Sequence, residues 1–337
     1  MIIRALAILT LVAGLPAPAA AQVRVTIGTQ RLADNGALFL AVARGYFKAE
    51  GLDVEMTAYK SDKEVAQAVA AGAVEFGLAA FTTEAFNYAG QGFFKFVAAQ
   101  VQERKGFEGN EVVAANAAWA NGLRKMENLA GKSVAITYLG SPFHYQLAQI
   151  ARAKKFDFAS ITLKPMQTVD AAALAVVEGK ADAAILPANY ARELMVASQA
   201  RLVGWYSEVG DKQQLGALFV AAKMIGGHRA TVEKFVRAYR HGASDYSSMV
   251  QLDRYGKRIA TVATREIATV IARYVYPGRE LGRSAATVET GAYPMDPEAK
   301  LDTADVERQV AWFKAQKLID DSVITGNIVD TSFAGGD

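Results

Sequence analysis

A strand–helix–strand pattern near the start of the chain constrains the fold more than any other feature. Apolar and polar residues alternate over 23–27 and again over 52–56, which predicts two short strands. The residues between them favour a helix through Phe39 and Val42 that ends at Gly51. A unit of about 30 residues with this order joins parallel strands. The sequence therefore predicts an α/β fold with parallel strands.

A polar loop, residues 29–35, follows the first predicted strand. Asp34 or Asn35 can cap the helix that comes next, because short polar side chains accept hydrogen bonds from the first free N–H groups of a helix. In open parallel sheets, ligands bind beyond the carboxyl ends of the strands. We therefore expect this loop to lie beside a ligand site.

The first 21 residues have the pattern of a secretory signal peptide. Arg4 supplies the positive charge, residues 5–15 are apolar, and the alanines at 19–21 match a cleavage site. A membrane anchor is the alternative, but the apolar run is shorter than the roughly 20 residues that a spanning helix needs. The chain has no cysteine, and an exported protein without disulfides suits a bacterial periplasm. We expect export to that compartment.

Composition predicts two lobes and argues against a nucleic-acid partner. The chain has 337 residues, of which 52% are hydrophobic, so it exceeds one typical domain and can bury large cores. It carries 37 basic and 34 acidic residues; without Arg4 of the leader, 36 basic residues face 34 acidic ones. This balance is close to neutral, whereas nucleic-acid binding favours a concentrated basic surface.

Two parts of the chain share a pattern, which supports two similar lobes. Residues 72–77 and 179–184 each begin with a glycine after a helical stretch, contain an acidic residue and lead into an apolar strand. The apolar runs 112–116 and 216–224 are candidates for segments that cross between lobes, and 279–297 is predicted to be a loop. Any α/β protein can repeat such patterns, which is the alternative. The predicted division is a signal peptide over 1–21, lobe 1 over 22–111 and 217–337, and lobe 2 over 112–216.

Four segments that span most of the chain resemble one known family. They are residues 43–55 (ARGYFKAEGLDVE), 71–77 (AGAVEFG), 129–135 (LAGKSVA) followed by 140–144 (GSPFH), and 178–183 (EGKADA). In order and spacing they resemble the solute-binding proteins of bacterial importers for nitrate, sulfonates, taurine and pyrimidine precursors, also described as NMT1/THI5-like.

The resemblance implies a type II periplasmic-binding-protein fold, in which two α/β lobes are joined by a two-segment hinge. It implies a ligand in the cleft between the lobes. It also implies the membrane permease of an ABC transporter and its ATPase as partners. We expect the chain itself to be a monomer.

Catalytic and metal-binding motifs are incomplete. Residues 131–133 match the end of a phosphate-binding loop, but Met126 stands where that loop needs a glycine. Leu139 likewise stands where a serine-hydrolase turn around Ser141 needs a glycine. Without cysteine and with widely spaced histidines, the chain has no zinc motif. We therefore expect no enzyme activity, no cofactor and no metal. The histidines are His144, His228 and His241.

Four predicted strand-to-helix turns supply candidate ligand contacts. Helix starts carry free N–H groups and the positive end of the helix dipole, which favours an anion or another acceptor. On the family pattern, Thr82 and Ser141 are the strongest candidates, and Arg31 is the one guanidinium placed on such a turn. The candidates are Gln30, Arg31, Asn35, Phe39, Thr82, Thr83, Ser141, His144, Tyr145, Asn189, Tyr190 and Trp205.

Each candidate also has a structural alternative. Asn35, Thr82 and Ser141 can serve only as helix caps. Phe39 suits the core, and a loop residue such as Arg31 can simply be solvated. The tyrosines, Trp205, Asn189 and His144 can pack or hydrogen-bond between a helix and a sheet.

These observations predict a receptor that closes two lobes over a small organic ligand. An anionic sulfonate or carboxylate is the ligand type that the helix starts favour. One alternative is a protein that binds, or acts on, a pyrimidine-type thiamine precursor, with His144 as the reactive group. Another is a sensor that presents its ligand to a membrane kinase.

Overall fold

The computed structural model describes residues 21–210 and 212–333. The predicted signal peptide lies outside these residues, except for Ala21. In the described part the chain forms twelve strands. They are β1 (Val23–Thr29), β2 (Leu52–Ala58), β3 (Phe76–Ala80), β4 (Phe94–Ala99), β5 (Gln102–Glu103), β6 (Asn110–Ala115), β7 (Ser133–Ile136), β8 (Thr162–Pro165), β9 (Ala183–Pro187), β10 (Ala200–Trp205), β11 (Gln213–Gln214) and β12 (Gly216–Ala221).

Fourteen α-helices alternate with these strands or follow them, again within the described ranges. They are α1 (Gly36–Ala43), α2 (Tyr46–Ala49), α3 (Asp62–Ala70), α4 (Thr83–Gly90), α5 (Asn116–Ala120), α6 (Pro142–Lys154), α7 (Val169–Val177), α8 (Ala188–Val196), α9 (Ala222–Gly227), α10 (Arg229–Met249), α11 (Val262–Val275), α12 (Leu281–Gly291), α13 (Thr303–Ala315) and α14 (Thr325–Ile328).

The first strand–helix–strand unit is confirmed. Strands β1 and β2 pair in parallel over their whole length, from Val23 opposite Leu52 to Thr29 opposite Ala58. The helical stretch between them is two helices rather than one, because Gly45 has a φ of +75° between α1 and α2. A left-handed residue breaks the run of backbone hydrogen bonds that a single helix needs.

Strands of the first sheet come from both ends of the chain. Their order is β2-β1-β3-β12-β4, and β12 runs antiparallel to β3 and β4. Buried aromatic residues fill the space between this sheet and α10; the rings of Phe76 and Phe235 stack at 3.9 Å. Helices α9 to α14 bury their apolar residues in the same core. This body is called lobe 1 below.

A second sheet has its own core. Its strand order is β10-β6-β9-β7-β8, with β7, β8 and β9 parallel and β6 antiparallel to both of its neighbours. Residues such as Val112, Ile136 and Leu147 form a separate buried cluster with it. This body is called lobe 2 below. The predicted crossing strand over 112–116 is therefore β6, an internal strand of lobe 2.

The chain passes between the two sheets twice, and the two passages lie side by side. Strand β5 leads from β4 towards β6, and β11 leads back towards β12; Gln213 of β11 pairs antiparallel with Glu103 of β5. The run 216–224 returns to lobe 1 as predicted, in β12 and α9. The boundary residues proposed for the lobes stay a prediction.

One predicted loop is wrong. Residues 279–297 contain the helix α12, which begins where the side chain of Glu280 accepts hydrogen bonds from the N–H groups of Gly282 and Arg283. Ala285 and Val288 are fully buried in lobe 1. A carboxylate cap and two buried apolar positions one turn apart stabilise this helix despite its glycines.

Candidate functional site

A cavity lies between the two lobes, beside the β5 and β11 passages. The cavity has a volume of about 540 Å³ when its open mouth is included. The enclosed part is much smaller, since the centre of a water molecule fits within only about 40 Å³. This inner space suits a few waters or a very small ligand. Lobe 1 and its helices line it with Gln30, Leu32, Asp34, Lys60, Ser61, Asp62, Ala80, Leu215 and Tyr293. Lobe 2 adds Asn110, Thr137, Tyr138, Pro142, Phe143, Gln167, Thr168, Val169 and Pro187.

Gln30, the first residue after β1, presents an acceptor to this cavity. Its side chain is 8% exposed, and its Nε2 donates to the carbonyl of Lys60 at 3.1 Å. This bond fixes which end of the amide is the oxygen. The Oε1 atom is buried and has no hydrogen-bond partner in the described part of the chain. A buried acceptor without a hydrogen bond costs free energy. The site therefore favours a ligand that donates a hydrogen bond to the Oε1 of Gln30.

Asn35 shapes the loop from behind and does not cap α1 with its side chain. Its Nδ2 donates to the carbonyl of Gln30 at 3.1 Å, and its Oδ1 accepts from Gln100 at 2.6 Å. The helix begins at Asn35 without a side-chain cap, and the predicted cap there is wrong. Because Asn35 is 1% exposed, it supports the cavity wall from the second layer.

Two carboxyl groups, Asp34 and Asp62, line the cavity in lobe 1. Burial, and to a lesser degree the charge of Asp62, raise the pKa of Asp34 to about 7, although two backbone N–H groups partly offset the effect. Burial also raises the pKa of Asp62, although its Oδ1 accepts from the N–H of Ala80 at 2.9 Å. Desolvation and like charge both disfavour the ionised forms. The cavity thus holds two carboxyl groups whose ionised forms the surrounding protein stabilises only in part.

Lobe 2 contributes Tyr138 and the starts of two helices. Burial raises the pKa of Tyr138 well above its ordinary value, and the charge of Asp62 in the other lobe adds to the effect. Helix α6 begins at Pro142, with Ser141 as its cap, and α7 begins after Thr168, whose Oγ1 accepts from the N–H of Ala171. The Ser141 cap and the proline start were both predicted, and both are confirmed.

The lobes also contact each other directly next to the cavity. The N–H of Thr83 in lobe 1 donates to the carbonyl of Gly140 in lobe 2 at 3.2 Å. Gly140 has a φ of +88°, and a Cβ at this residue would lie 2.4 Å from the Thr83 side chain. A glycine is required here by both the backbone conformation and the close approach. This contact joins the two lobes directly beside the cavity.

His144 and Tyr145 pack against the other lobe rather than into the cavity. The His144 Nδ1 accepts from the N–H of Gly140 at 3.0 Å, and its ring meets Trp312 edge-on at 5.2 Å. Tyr145 also contacts Trp312 at 5.2 Å. Burial lowers the pKa of His144 to about 4. The imidazole is therefore neutral at pH 7 and serves as an acceptor within the interface.

The remaining candidates are dispersed around the cleft. Thr82 is the cap of α4 as predicted, accepts from Ala85 at 3.0 Å and has no exposed surface. Phe39 stacks on Tyr274 in the core of lobe 1, with ring centroids 4.9 Å apart. Asn189 donates to the Tyr276 hydroxyl at 2.9 Å, which links lobe 2 to lobe 1.

Gln30 is the one predicted contact among the described residues that line the cavity. Arg31 is exposed, and Tyr190 and Trp205 are half-buried. Thr83 lies beside the cavity at the contact between the lobes. Direct ligand contact by the predicted residues other than Gln30 stays a prediction.

Several lining residues were not predicted. Asp34 was considered only as a helix cap, although it lies on the loop that was expected to face a ligand. Asp62 and Tyr138 also follow strands directly or closely, and this position was an available signal. Tyr293 had no such signal, because it follows α12 in a segment predicted as a loop and reaches the cavity only through tertiary packing.

The structure offers no metal site within residues 21–210 and 212–333. No group of three or more His, Cys, Asp or Glu side chains there is arranged to hold a metal ion. None of the helices in these ranges has both the length and the apolar character needed to cross a membrane.

Two α/β lobes joined by paired passages, with a polar cavity between them, define a periplasmic-binding-protein fold. The family model described as "NMT1/THI5 like" matches residues 33–248, which is more than half of the chain. The chain belongs to the NMT1/THI5-like family. A search of curated proteins finds no match.

Solved structures share this fold at low sequence identity. A ligand-binding component of an ABC-type import system from Staphylococcus aureus, solved with zinc bound, has a TM-score of 0.72 and 11% identity, covering 93% of this chain and 98% of that one. The alkanesulfonate-binding protein SsuA from Xanthomonas axonopodis, bound to MOPS, has a TM-score of 0.68 and 17% identity, with 93% and 100% covered. The nitrate-binding protein NrtA from Synechocystis has a TM-score of 0.69 and 11% identity, with 92% and 85% covered.

Proposed function

We propose that this protein is the solute receptor of an ABC importer. It captures one small molecule between its lobes, presents it to a permease and its ATPase, and releases it unchanged. The observation that carries the proposal is the cavity between two separately packed lobes, lined by polar groups from both. Export to the periplasm and a monomeric state belong to the same proposal. The described similarity to import-system binding proteins supports it.

Closure follows from the way the lobes are connected. Within residues 21–210 and 212–333, two short adjacent strands, β5 and β11, join the sheets, so the lobes can rotate about them while each core stays intact. Contacts such as Thr83 with Gly140 form only when the lobes approach. A ligand that bonds to both lobes adds stabilisation to the closed arrangement and shifts the population towards it.

The charged residues that line the cavity bear on the type of ligand. The sequence predicts a sulfonate or carboxylate, but Lys60 is the one cation among the described residues that line the cavity, which also holds Asp34 and Asp62. A bidentate arginine, the usual partner of such anions, is lacking there. The anionic ligand therefore stays a prediction that the experiments below test against the opposite charge.

The first experiment identifies the bound solute. The full chain is exported in a bacterial host, purified from the periplasmic fraction and denatured, and the released small molecules are identified by mass spectrometry. We expect one solute near a 1:1 ratio, and its mass stays unchanged after long incubation with fresh protein. Conversion into a product would support an enzyme instead, and the absence of any stoichiometric solute across growth media would contradict the proposal.

The second experiment measures closure, and the absence of cysteine makes it simple. Spin labels at Phe93→Cys in lobe 1 and Leu174→Cys in lobe 2 report the distance between lobes, since both positions are about half exposed. A control pair, Phe93→Cys with Val262→Cys, lies within lobe 1. We expect the isolated solute to change the first distance and to leave the second unchanged. An unchanged first distance at saturation argues against hinge closure.

A further inference from the structure

Among the polar groups that line the cavity, two acceptors and the hydroxyl of Tyr138 are buried without a hydrogen-bond partner in the described part of the chain. The Oε1 of Gln30 and the Oδ1 of Asp34 are both buried and lack a hydrogen-bond partner among the described residues. The carboxyl of Asp62 lines the same cavity. Buried acceptors without partners are rare in folded proteins, and each demands a donor from water, an ion or a ligand. This set calls for a ligand that donates hydrogen bonds.

Neighbouring tyrosines do not neutralise Asp34. Tyr239, Tyr246 and Tyr293 all feel its charge. The hydroxyl of Tyr239, however, donates to the carbonyl of Ala99 at 3.0 Å, and that of Tyr293 donates to Asn110 at 2.5 Å. The Tyr246 hydroxyl accepts from the N–H of Tyr293. Tyr239 and Tyr293 therefore donate elsewhere, and Tyr246 serves there as an acceptor. The Oδ1 of Asp34 keeps its need for a donor.

The helix starts at the cavity do not reverse this balance. Helices α3, α6 and α7 begin there, and a helix start carries a partial positive charge of about half a unit. Their caps, Ser61, Ser141 and Thr168, already accept one N–H group of each helix. Asp62 is itself the first residue of α3, so it supplies the anion that this helix start attracts. When the two carboxyl groups are ionised, Lys60 is the one cation among the described lining residues that faces them.

We propose that the cleft binds a small organic cation, a protonated amine or amidine, whose N–H groups bond to Asp34, Asp62 and the Oε1 of Gln30. This inference rests on the proposed receptor function and names the ligand class of that same cavity. Tyr138 and Phe143 from lobe 2 cover the ligand from the other side. A cation bound in this way removes the repulsion between the two carboxyls, which is greatest in the closed, empty cleft.

Ligands of equal shape and different charge test the proposal. Acetamidine, acetamide and acetate have the same number and arrangement of heavy atoms, and they suit the small inner space; benzamidine, benzamide and benzoate form a larger matched set. Binding to the purified full chain is measured at pH 8 by calorimetry and by thermal shift. We expect each amidine to bind at least tenfold more tightly than its amide, and no response to the carboxylates. Tighter binding of acetate, benzoate or a simple sulfonate overturns the proposal.

Variants connect the preference to the two carboxyls. Asp34→Asn and Asp62→Asn keep the size of the side chain, and Asp53→Asn, an exposed position on β2, is the matched control. We expect each of the first two to weaken amidine binding roughly 10-fold to 100-fold, as for a lost charge-assisted hydrogen bond, while the amides are little affected. Retained unfolding midpoints show that the variants are folded. Unchanged amidine binding in both cleft variants overturns the assignment.

The outcomes separate this inference from the receptor proposal. Recovery of an anionic solute, together with closure in the label experiment, overturns the cation and leaves the receptor in place. Recovery of an amine or amidine whose binding depends on Asp34 and Asp62 supports both. Failure to recover any solute, with no closure by any member of either matched set, overturns both.

Discussion

The contact of Gly140 with Thr83 gives the sharpest test of a closed cleft. In Gly140→Ala, the new Cβ lies 2.4 Å from the Thr83 Oγ1 and Cγ2 and 2.9 Å from its Cβ. Rotating the Thr83 side chain does not relieve the contact with its Cβ, so the backbones must separate. Overpacking of this kind costs about 1–3 kcal/mol. Because the two residues belong to different lobes, opening the cleft removes that cost.

A matched control isolates this effect. Gly131 has a φ of +74° in the same lobe, and a Cβ there meets no atom within 4 Å. Alanine at either position carries the strain of a left-handed backbone, about 1–2 kcal/mol, and urea unfolding will show that loss in both variants. Only Gly140→Ala is expected to change the distance between labels at positions 93 and 174. The same distance distribution in the two variants would refute the reasoning.

Three further predictions concern stability. Phe39→Ala should lower the free energy of unfolding by about 3–5 kcal/mol, as for a buried aromatic residue, and leave the affinity of the folded protein nearly unchanged; a selective loss of affinity would place Phe39 at the ligand. Thr82→Ala and Ser141→Ala should each cost about 1 kcal/mol in urea unfolding through the lost caps, and no loss in either would contradict the capping role. His144 stays neutral in the folded state down to pH about 4, whereas the unfolded residue is protonated below its ordinary pKa of about 6.5. The contribution of the neutral His144 side chain to the free energy of unfolding is therefore fully present above a pH of about 6.5. As the pH falls to about 4, the protein loses about 3 kcal/mol of stability through this residue. His144→Gln should flatten that part of the stability profile, and parallel profiles for the two proteins would contradict this.

Much of the architecture was accessible from local patterns. The alternation over 23–27 and 52–56 predicted the parallel pair β1 and β2, and the helix caps Thr82 and Ser141 were predicted correctly. The alternation within each strand and the caps depend on residues within one or two turns of each other, where periodicity and backbone hydrogen bonding dominate. The return of 216–224 to lobe 1 also followed, because a continuous apolar run suits a strand buried on both faces.

Local reasoning failed where a side chain had distant partners. Asn35 was predicted to cap a helix, but its side-chain amide forms hydrogen bonds with Gln30 and Gln100, and Gln100 is 65 residues away in the chain. The helix α12 was missed because much of its stability comes from the burial of Ala285 and Val288 against lobe 1. The anionic ligand that the helix starts favour stays a prediction, since the charge of the cavity also depends on which other residues the fold brings there.

The amino-acid sequence by itself determined two α/β lobes, their order along the chain and the helix starts beside the cleft. Only the tertiary structure decided that Asp34, Asp62, Tyr138 and Tyr293 face one cavity. It also decided that Ser141 caps α6 and that His144 packs against Trp312 of the other lobe. The physical reason is the separation along the chain between the residues that interact. Strands and caps form from neighbours in the chain, but the net charge of a cleft is the sum over groups that meet only after the sheets are ordered and the lobes are closed.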